Sequence, residues 1–229
     1  MTSGDKPASR FASPPCLASE VAPDYFDPLA VDPQQALDIA RWRKAERATR
    51  LAARAALTVV ERQAVAAAIA AHLEALLPKL FAGRESLIVS GYWPIKSEPD
   101  LRPWMIQQSA AGTRLALPVV DTPKAPLVFR PWSPGATMER GHWNIPVPAT
   151  REVVAPDIAL APLVGWDREG YRLGYGGGYF DRTLAVASQR PFTIGVGLQS
   201  AQLATIFPQP HDIRLDAIVT EAGLQWSAR

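Results

Sequence analysis

The sequence predicts an α/β fold: a three-layer α/β/α arrangement in a single domain with a largely parallel central sheet. Three observations predict it. Short apolar, β-branched runs alternate with helical stretches along the chain, the pattern of a sheet covered on both faces. A chain of 229 residues with 48% hydrophobic side chains can bury one sizeable core. No internal repeat and no shift in composition marks a second domain.

The N-terminal stretch is the exception. Met1 to Pro33 carries Pro7, Pro14, Pro15, Pro23, Pro28 and Pro33, with Ser and Ala between them, which reads as a flexible extension. An arm packed through Tyr25, Phe26 and Leu29 is the alternative. The main folded domain is expected over 34–229. From Gln34 to Leu57 an Ala-, Arg- and Leu-rich run without Gly or Pro predicts a helix. Thr58-Val59-Val60-Glu61 is a capping-box pattern opening a second helix. Its apolar stripe is Val65, Ile69, Leu73, Leu76 and Leu80.

The period then changes. Ser86–Gly91 predicts a buried strand and Leu101–Gln108 a short helix. Arg114–Val120 and Leu127–Arg130 are strand candidates, with Pro118 read as an end or edge. Trp132–Val154 reads as turns. Asp157–Pro162, Phe192–Gly197 and Ala217–Thr220 are further strands, and Tyr179–Ala187 a helix.

Composition sets bounds on function. Formal net charge is +2, from 24 basic and 22 acidic residues, too balanced for a whole-surface nucleic-acid binder. No run approaches the 18 or so apolar residues of a membrane helix, and the first residues lack the apolar core of a secretory signal. One cysteine, Cys16, rules out an internal disulfide. These features lead us to expect a cytoplasmic protein, monomer or homodimer, without nucleic-acid or membrane partners.

The segment that carries chemistry is Arg172-Leu173-Gly174-Tyr175-Gly176-Gly177-Gly178-Tyr179-Phe180-Asp181-Arg182, which follows a strand and a short loop and runs into a helix. Glycines let backbone approach a ligand. A helix N-terminus adds unpaired N–H groups and the positive end of its dipole. Together they suit a phosphate. The spacing is neither the dinucleotide fingerprint, whose third glycine would fall on Tyr179, nor a P-loop, since no Gly-Lys-Ser/Thr follows. A turn that only reverses the chain is the bland reading.

The whole string resembles the signature of the 5-formyltetrahydrofolate cyclo-ligase family. The resemblance extends over most of Gln34–Glu221 and includes Gly91-Tyr92-Trp93-Pro94-Ile95-Lys96-Ser97-Glu98-Pro99-Asp100, Trp143-Asn144-Ile145-Pro146 and Asp212-Ile213-Arg214-Leu215-Asp216. It implies an enzyme that converts 5-formyltetrahydrofolate to 5,10-methenyltetrahydrofolate, with ATP becoming ADP and phosphate through a phosphorylated formyl group. Such a reaction needs positioning and charge neutralisation more than a protein nucleophile. Accordingly, no convincing Ser/His/Asp or Cys/His set is evident.

The resemblance also assigns sites. ATP contacts fall on Arg43 and Arg47, where an Arg replaces the usual first Lys, and on Arg172, Leu173, Gly174, Tyr175, Gly176, Gly177, Gly178 and Tyr179. Arg182 stands beside them. Some family members carry a Lys where this chain has Gly177, so the γ-phosphate charge must be met by Arg182, Lys96 or the N-terminal arginines. Mg²⁺, a hard cation, falls to Asp181 and Asp212, with Asp216 and Asp167 as weaker candidates. Folate contacts fall on Glu98, on Tyr92 and Trp93, and on Tyr175, Gly176, Gly177, Gly178 and Tyr179, with Trp143 as a further aromatic.

Each assignment has a plainer rival. Arg43, Arg47, Arg50 and Arg54 share one helix face, which is more often solvated. Asp181 suits a helix N-terminus and Asp212 a turn. The Ser97–Asp100 segment suits the cap of the next helix. His72, His142 and His211 show no metal-ligand spacing. Two other functions stay open: an enzyme of the same fold using ATP on another small molecule, and a non-catalytic folate- or nucleotide-binding regulator.

Overall fold

The structure, a computed structural model, describes residues 33–84 and 86–228. Residues from Ile39 onwards form one compact unit. The expected extension lies outside the described residues except at Pro33, which opens the first helix.

Helix α1 runs Pro33–Ala56 and α2 runs Val59–Leu80. Thr58 separates them as expected. Its extended backbone stops α1 and its side chain accepts a bond from Glu61 N, while the Glu61 carboxylate accepts from Thr58 N. Ile69 and Leu73 of the α2 stripe are fully buried, and Val65, Leu76 and Leu80 pack against the same core.

Strand β1 is Ile88–Ser90, helix α3 Arg102–Ala110, β2 Arg114–Val119 and β3 Val128–Trp132. The expected turn region holds a hairpin, β4 (Met138–Arg140) and β5 (Pro146–Pro148). Then come β6 (Ile158–Pro162), β7 (Gly165–Asp167), β8 (Arg172–Leu173), α4 (Tyr179–Val186), β9 (Phe192–Val196), β10 (Gln202–Leu203), β11 (Ala217–Thr220) and β12 (Gly223–Ser227).

Seven strands make the central sheet in the order β12-β11-β9-β6-β1-β2-β3. The inner five, β11-β9-β6-β1-β2, are mutually parallel, and only the edge strands β12 and β3 run antiparallel. Pro118 is a correction: it lies within β2, an inner strand, opposite Phe129. Its missing N–H is harmless because β1 pairs with β2 only through Ala116.

Alternation divides the sheet into two faces. Val89, Leu115, Leu117, Ile158, Leu160, Ile194 and Val219 point to the side where α2 and α3 supply Ile69, Leu73, Trp104 and Met105. The opposite face carries smaller residues such as Ala161 and meets Phe180 of α4. A second small sheet, β10-β7-β8, adds to this side, so the outer layer is part helix and part sheet.

The chain order of the parallel strands reverses between β1 and β6: from β1 the chain goes first to β2 on one side and later to β6 on the other. In open α/β sheets, the crevice beyond the strand ends at such a switch point is where ligands bind.

Candidate active site

A cavity of about 220 Å³ opens at this switch point. Tyr92 and Trp93 follow β1, Pro118 and Val120 close β2, and Pro162 ends β6. Loop 174–179 and the start of α4 form one wall and α1 contributes Arg43 and Arg47. Segments far apart in sequence are thus brought together.

The glycine loop leaves β8 and enters α4 through Gly178, whose φ of 62° is left-handed. Gly176 is also left-handed, at 93°, and both positions favour glycine for that reason. No backbone N–H of Gly176, Gly177 or Gly178 donates to another of the described residues. These donors sit where a helix N-terminus adds its own. A Cβ on Gly177 would lie 2.9 Å from the Tyr179 ring, so a lysine there requires Tyr179 to move.

The arginines of α1 are not a solvated face. Arg43 is buried and donates to Ile206 O at 3.0 Å, to Phe207 O at 2.8 Å and to both oxygens of Asp212. Arg54, 3% exposed, donates to Lys96 O at 3.1 Å, Leu163 O at 3.0 Å and the Tyr175 hydroxyl at 2.5 Å. Arg50 pairs with Glu46 and Ser200 O. Arg47 differs from all of these. Its Nε donates to Gly174 O at 2.7 Å and its guanidinium lies against Gly176. Its terminal nitrogens make no bond to the described residues, and Arg47 lines the cavity. Burial lowers its pKa, helped by the neighbouring Arg43 and opposed by Asp212. Even so lowered, an arginine is in effect always charged.

Arg172 is buried and pairs with Asp181 at 2.8 Å. Burial pushes its pKa down, while Asp181 and Asp212 pull it back up. Arg182 turns back to donate to Gly177 O and lies over the Tyr179 ring, away from the cavity wall. Leu173 is a correction: its side chain packs with Leu203 and Ile206 in a small core, its carbonyl accepts from Val164 N, and it does not line the cavity. Lys96 sits over the Tyr175 ring, 5.2 Å from its centroid.

Asp181 and Asp212 both line the cavity. Besides Arg172, Asp181 accepts from Ile213 N at 3.1 Å, and besides Arg43, Asp212 accepts from Gln209 N. Among the described residues no group of three or more His, Cys, Asp or Glu could hold a metal. Asp167 and Asp216 are corrected as metal candidates. Asp167 is 1% exposed and accepts from the backbone of Glu169, Tyr171 and Ile206. Asp216 accepts from Thr193 N and Arg190. Both shape loops, and neither reaches the cavity.

The folate candidates line the same cavity, next to the glycine loop. Glu98 is 5% exposed, with one oxygen accepting from Ile95 N and the other from the Tyr175 hydroxyl, both at 2.8 Å. Burial raises its pKa to about 6, against the pull of those two bonds and of Arg54 and Lys96. The capping alternative falls to its neighbour: Asp100 accepts from Arg102 N and pairs with the Arg102 guanidinium. The Tyr92 hydroxyl donates to Pro99 O at 2.7 Å, holding the segment's shape. Trp93 takes Arg102 over its ring and lines the cavity with Trp143 and Tyr179. Trp143 is 56% exposed, has a left-handed φ of 55° and meets the Tyr179 ring edge-on. Sequence reasoning missed the apolar wall of Leu117, Leu127 and Ile145, and also His211. Nothing in their spacing marks them, because the fold alone brings them here.

The profile of the 5-formyltetrahydrofolate cyclo-ligase family matches residues 39–221.

The chain belongs to that family.

Among its cyclo-ligase relatives, the 5-formyltetrahydrofolate cyclo-ligase of Escherichia coli strain K12 is 32% identical over 76% of this chain and 97% of its own length. That of Mycolicibacterium smegmatis is 31% identical over 58% of this chain and 72% of the relative. Among solved structures, the 5,10-methenyltetrahydrofolate synthetase of Aquifex aeolicus superposes with a TM-score of 0.68 at 29% identity, covering 80% of this chain and 91% of that one. The synthetase of Mycoplasma pneumoniae, at 23% identity and a TM-score of 0.62, shares the fold.

Proposed function

We propose that this cyclo-ligase family member converts 5-formyltetrahydrofolate to 5,10-methenyltetrahydrofolate, with ATP becoming ADP and phosphate. The observation that carries the reading is one cavity in which a phosphate-suited loop adjoins a pterin-suited carboxylate, Tyr175 of the loop lying 2.8 Å from Glu98. Loop 174–179 offers free N–H groups beside Arg47, which suits a polyphosphate. Glu98, buried with oriented oxygens, suits the paired N–H donors of a pterin, and Tyr92, Trp93 and Trp143 suit its flat ring.

In this reading the formyl oxygen attacks the γ-phosphorus, and the bond to the ADP oxygen breaks. The formyl carbon then carries a phosphate leaving group. The second folate nitrogen attacks that carbon and gives up its proton to solvent, closing the ring as phosphate departs. The protein supplies alignment and charge. Arg47 faces the phosphates, the loop amides hold their oxygens, and Glu98 fixes the pterin so that the formyl oxygen points towards them.

Asp181 and Asp212 fit a Mg²⁺ that arrives with the nucleotide. They are hard oxygen donors on one cavity wall, and such sites commonly use one or two carboxylates plus phosphate oxygens rather than a protein cage. When bound, the cation would neutralise phosphate charge. Arg172 and Arg43 hold the two carboxylates in place. The same reading takes the protein as a cytoplasmic monomer or homodimer, a setting that its single cysteine suits.

The test is direct. With 5-formyltetrahydrofolate, ATP and Mg²⁺, the absorbance of methenyltetrahydrofolate should grow and ADP should form in equal amount. Omitting ATP should abolish both. Folate binding without turnover would sink the proposal.

A further inference from the structure

Arg54 has no part in the contacts assigned above, yet it is among the most buried charges in the protein, at 3% exposure. Its three nitrogens reach three separate segments. Nε donates to Lys96 O in the Glu98 segment, Nη1 to Leu163 O just beyond β6, and Nη2 to the Tyr175 hydroxyl in the glycine loop. A residue needed only to neutralise charge would meet a carboxylate. Arg54 meets two carbonyls and a phenol.

The phenol is the informative partner. A guanidinium can only donate, so the Tyr175 oxygen must accept from Arg54 and its single proton is left for Glu98. Glu98 Oε1 lies 2.8 Å away to receive it. The direction of the relay, Arg54 to Tyr175 to Glu98, is therefore fixed, and successive bonds of one direction polarise one another. The other Glu98 oxygen is held by Ile95 N. One donor on each oxygen leaves lone pairs free for a ligand.

From this geometry we infer that Arg54 is a positioning residue: through the Tyr175 hydroxyl it orients Glu98 and ties the nucleotide loop to the substrate carboxylate. This rests on the reading of Glu98 as the pterin acceptor. Tyr175 belongs to the loop that faces the nucleotide, so anything that moves the loop moves the donor on Glu98. Nucleotide and folate binding are thereby coupled, and the coupling is reciprocal.

The charged and titratable groups facing Glu98 are Arg54 from α1, Tyr175 from the loop, and Lys96 and Tyr92 from its own segment. Asp100 lies beyond Tyr92 and is paired with Arg102. Burial raises the Glu98 pKa, and both the Tyr175 bond and the Arg54 charge lower it. Removing either one should therefore raise it further.

The experiment is the pH profile of kcat/KM for 5-formyltetrahydrofolate at saturating ATP in the full-length protein, Y175F, R54Q, the double variant and E98Q. Y175F removes one oxygen and keeps the ring, so it tests the relay even if R54Q fails to fold. The expected result is an acid limb moved to higher pH in Y175F and R54Q, with the folate KM at neutral pH raised about tenfold and the ATP KM raised with it, as reciprocal coupling requires. The folate KM of the double variant should match that of Y175F alone, because Arg54 acts through the Tyr175 hydroxyl and residues on one path are not additive. A purely structural role would lower kcat or stability and leave the acid limb in place. If E98Q raises the folate KM while Y175F leaves the acid limb unmoved, the inference is overturned and the Glu98 reading stands. If E98Q leaves the folate KM unchanged, the Glu98 reading fails and the inference goes with it.

Discussion

Arg43 and Arg47 stand four residues apart on α1 and do different work. Arg43 is consumed by Asp212 and two carbonyls, whereas Arg47 lines the cavity beside Gly176 and leaves its terminal nitrogens without a bond to the described residues. Arg47→Ala is expected to raise the ATP KM by an order of magnitude or more and to leave the melting temperature close to that of the parent. Arg43→Ala strands a carboxylate that is 10% exposed. Breaking such a pair costs about 3–5 kcal/mol, which thermal unfolding would register as a large drop. Asp181→Asn should reduce turnover greatly while the protein still folds, and circular dichroism with initial rates separates the two effects. The Glu98 pKa near 6 sets a pH dependence. A carboxyl with a raised pKa is ionised above that value, so folate kcat/KM should be full near pH 8 and fall as pH drops through 6.

At the scale of elements, the glycine loop and α4 act as a unit. Gly178 caps α4 in a left-handed conformation, and a Cβ there would lie 3.0 Å from Arg182 Nη1. Gly178→Ala is expected to cost about 1–2 kcal/mol from backbone conformation alone, with a raised ATP KM as the kinetic sign. The elements that could be read in the sequence were those whose signal is local. The Thr58–Glu61 capping box marked the start of α2, and the runs around β1, β6, β9 and β11 carried enough apolar β-branched residues to stand out. Strands β7, β8 and β10 are two or three residues long, too short for any period, and exist because neighbours pair with them. The β4–β5 hairpin hid behind Pro146 and Pro148, which look like turn residues but are tolerated in a two-stranded ribbon with free edges.

For the molecule as a whole, what matters is the switch between β1 and β6. It collects Glu98, Tyr92 and Trp93 after β1, the glycine loop and the arginines of α1 around one crevice. The loop, Glu98 and the two aspartates were legible because each sits in a motif that resembles the family pattern. The partners of those residues were not. That Asp181 pairs with Arg172, Asp212 with Arg43 and Tyr175 with both Arg54 and Glu98 depends on contacts across up to 169 residues, which local spacing does not encode. Of the cations weighed for the charge missing at Gly177, Arg43 and Arg47 line the cavity, whereas Arg182 and Lys96 do not. The measurement closest to the central claim is a single assay that follows methenyltetrahydrofolate absorbance and ADP together, starting from 5-formyltetrahydrofolate and ATP. Equal, ATP-dependent growth of both, lost in Asp181→Asn, is the expected result. ADP formation that is indifferent to 5-formyltetrahydrofolate, or no methenyltetrahydrofolate at saturating ATP, would contradict it.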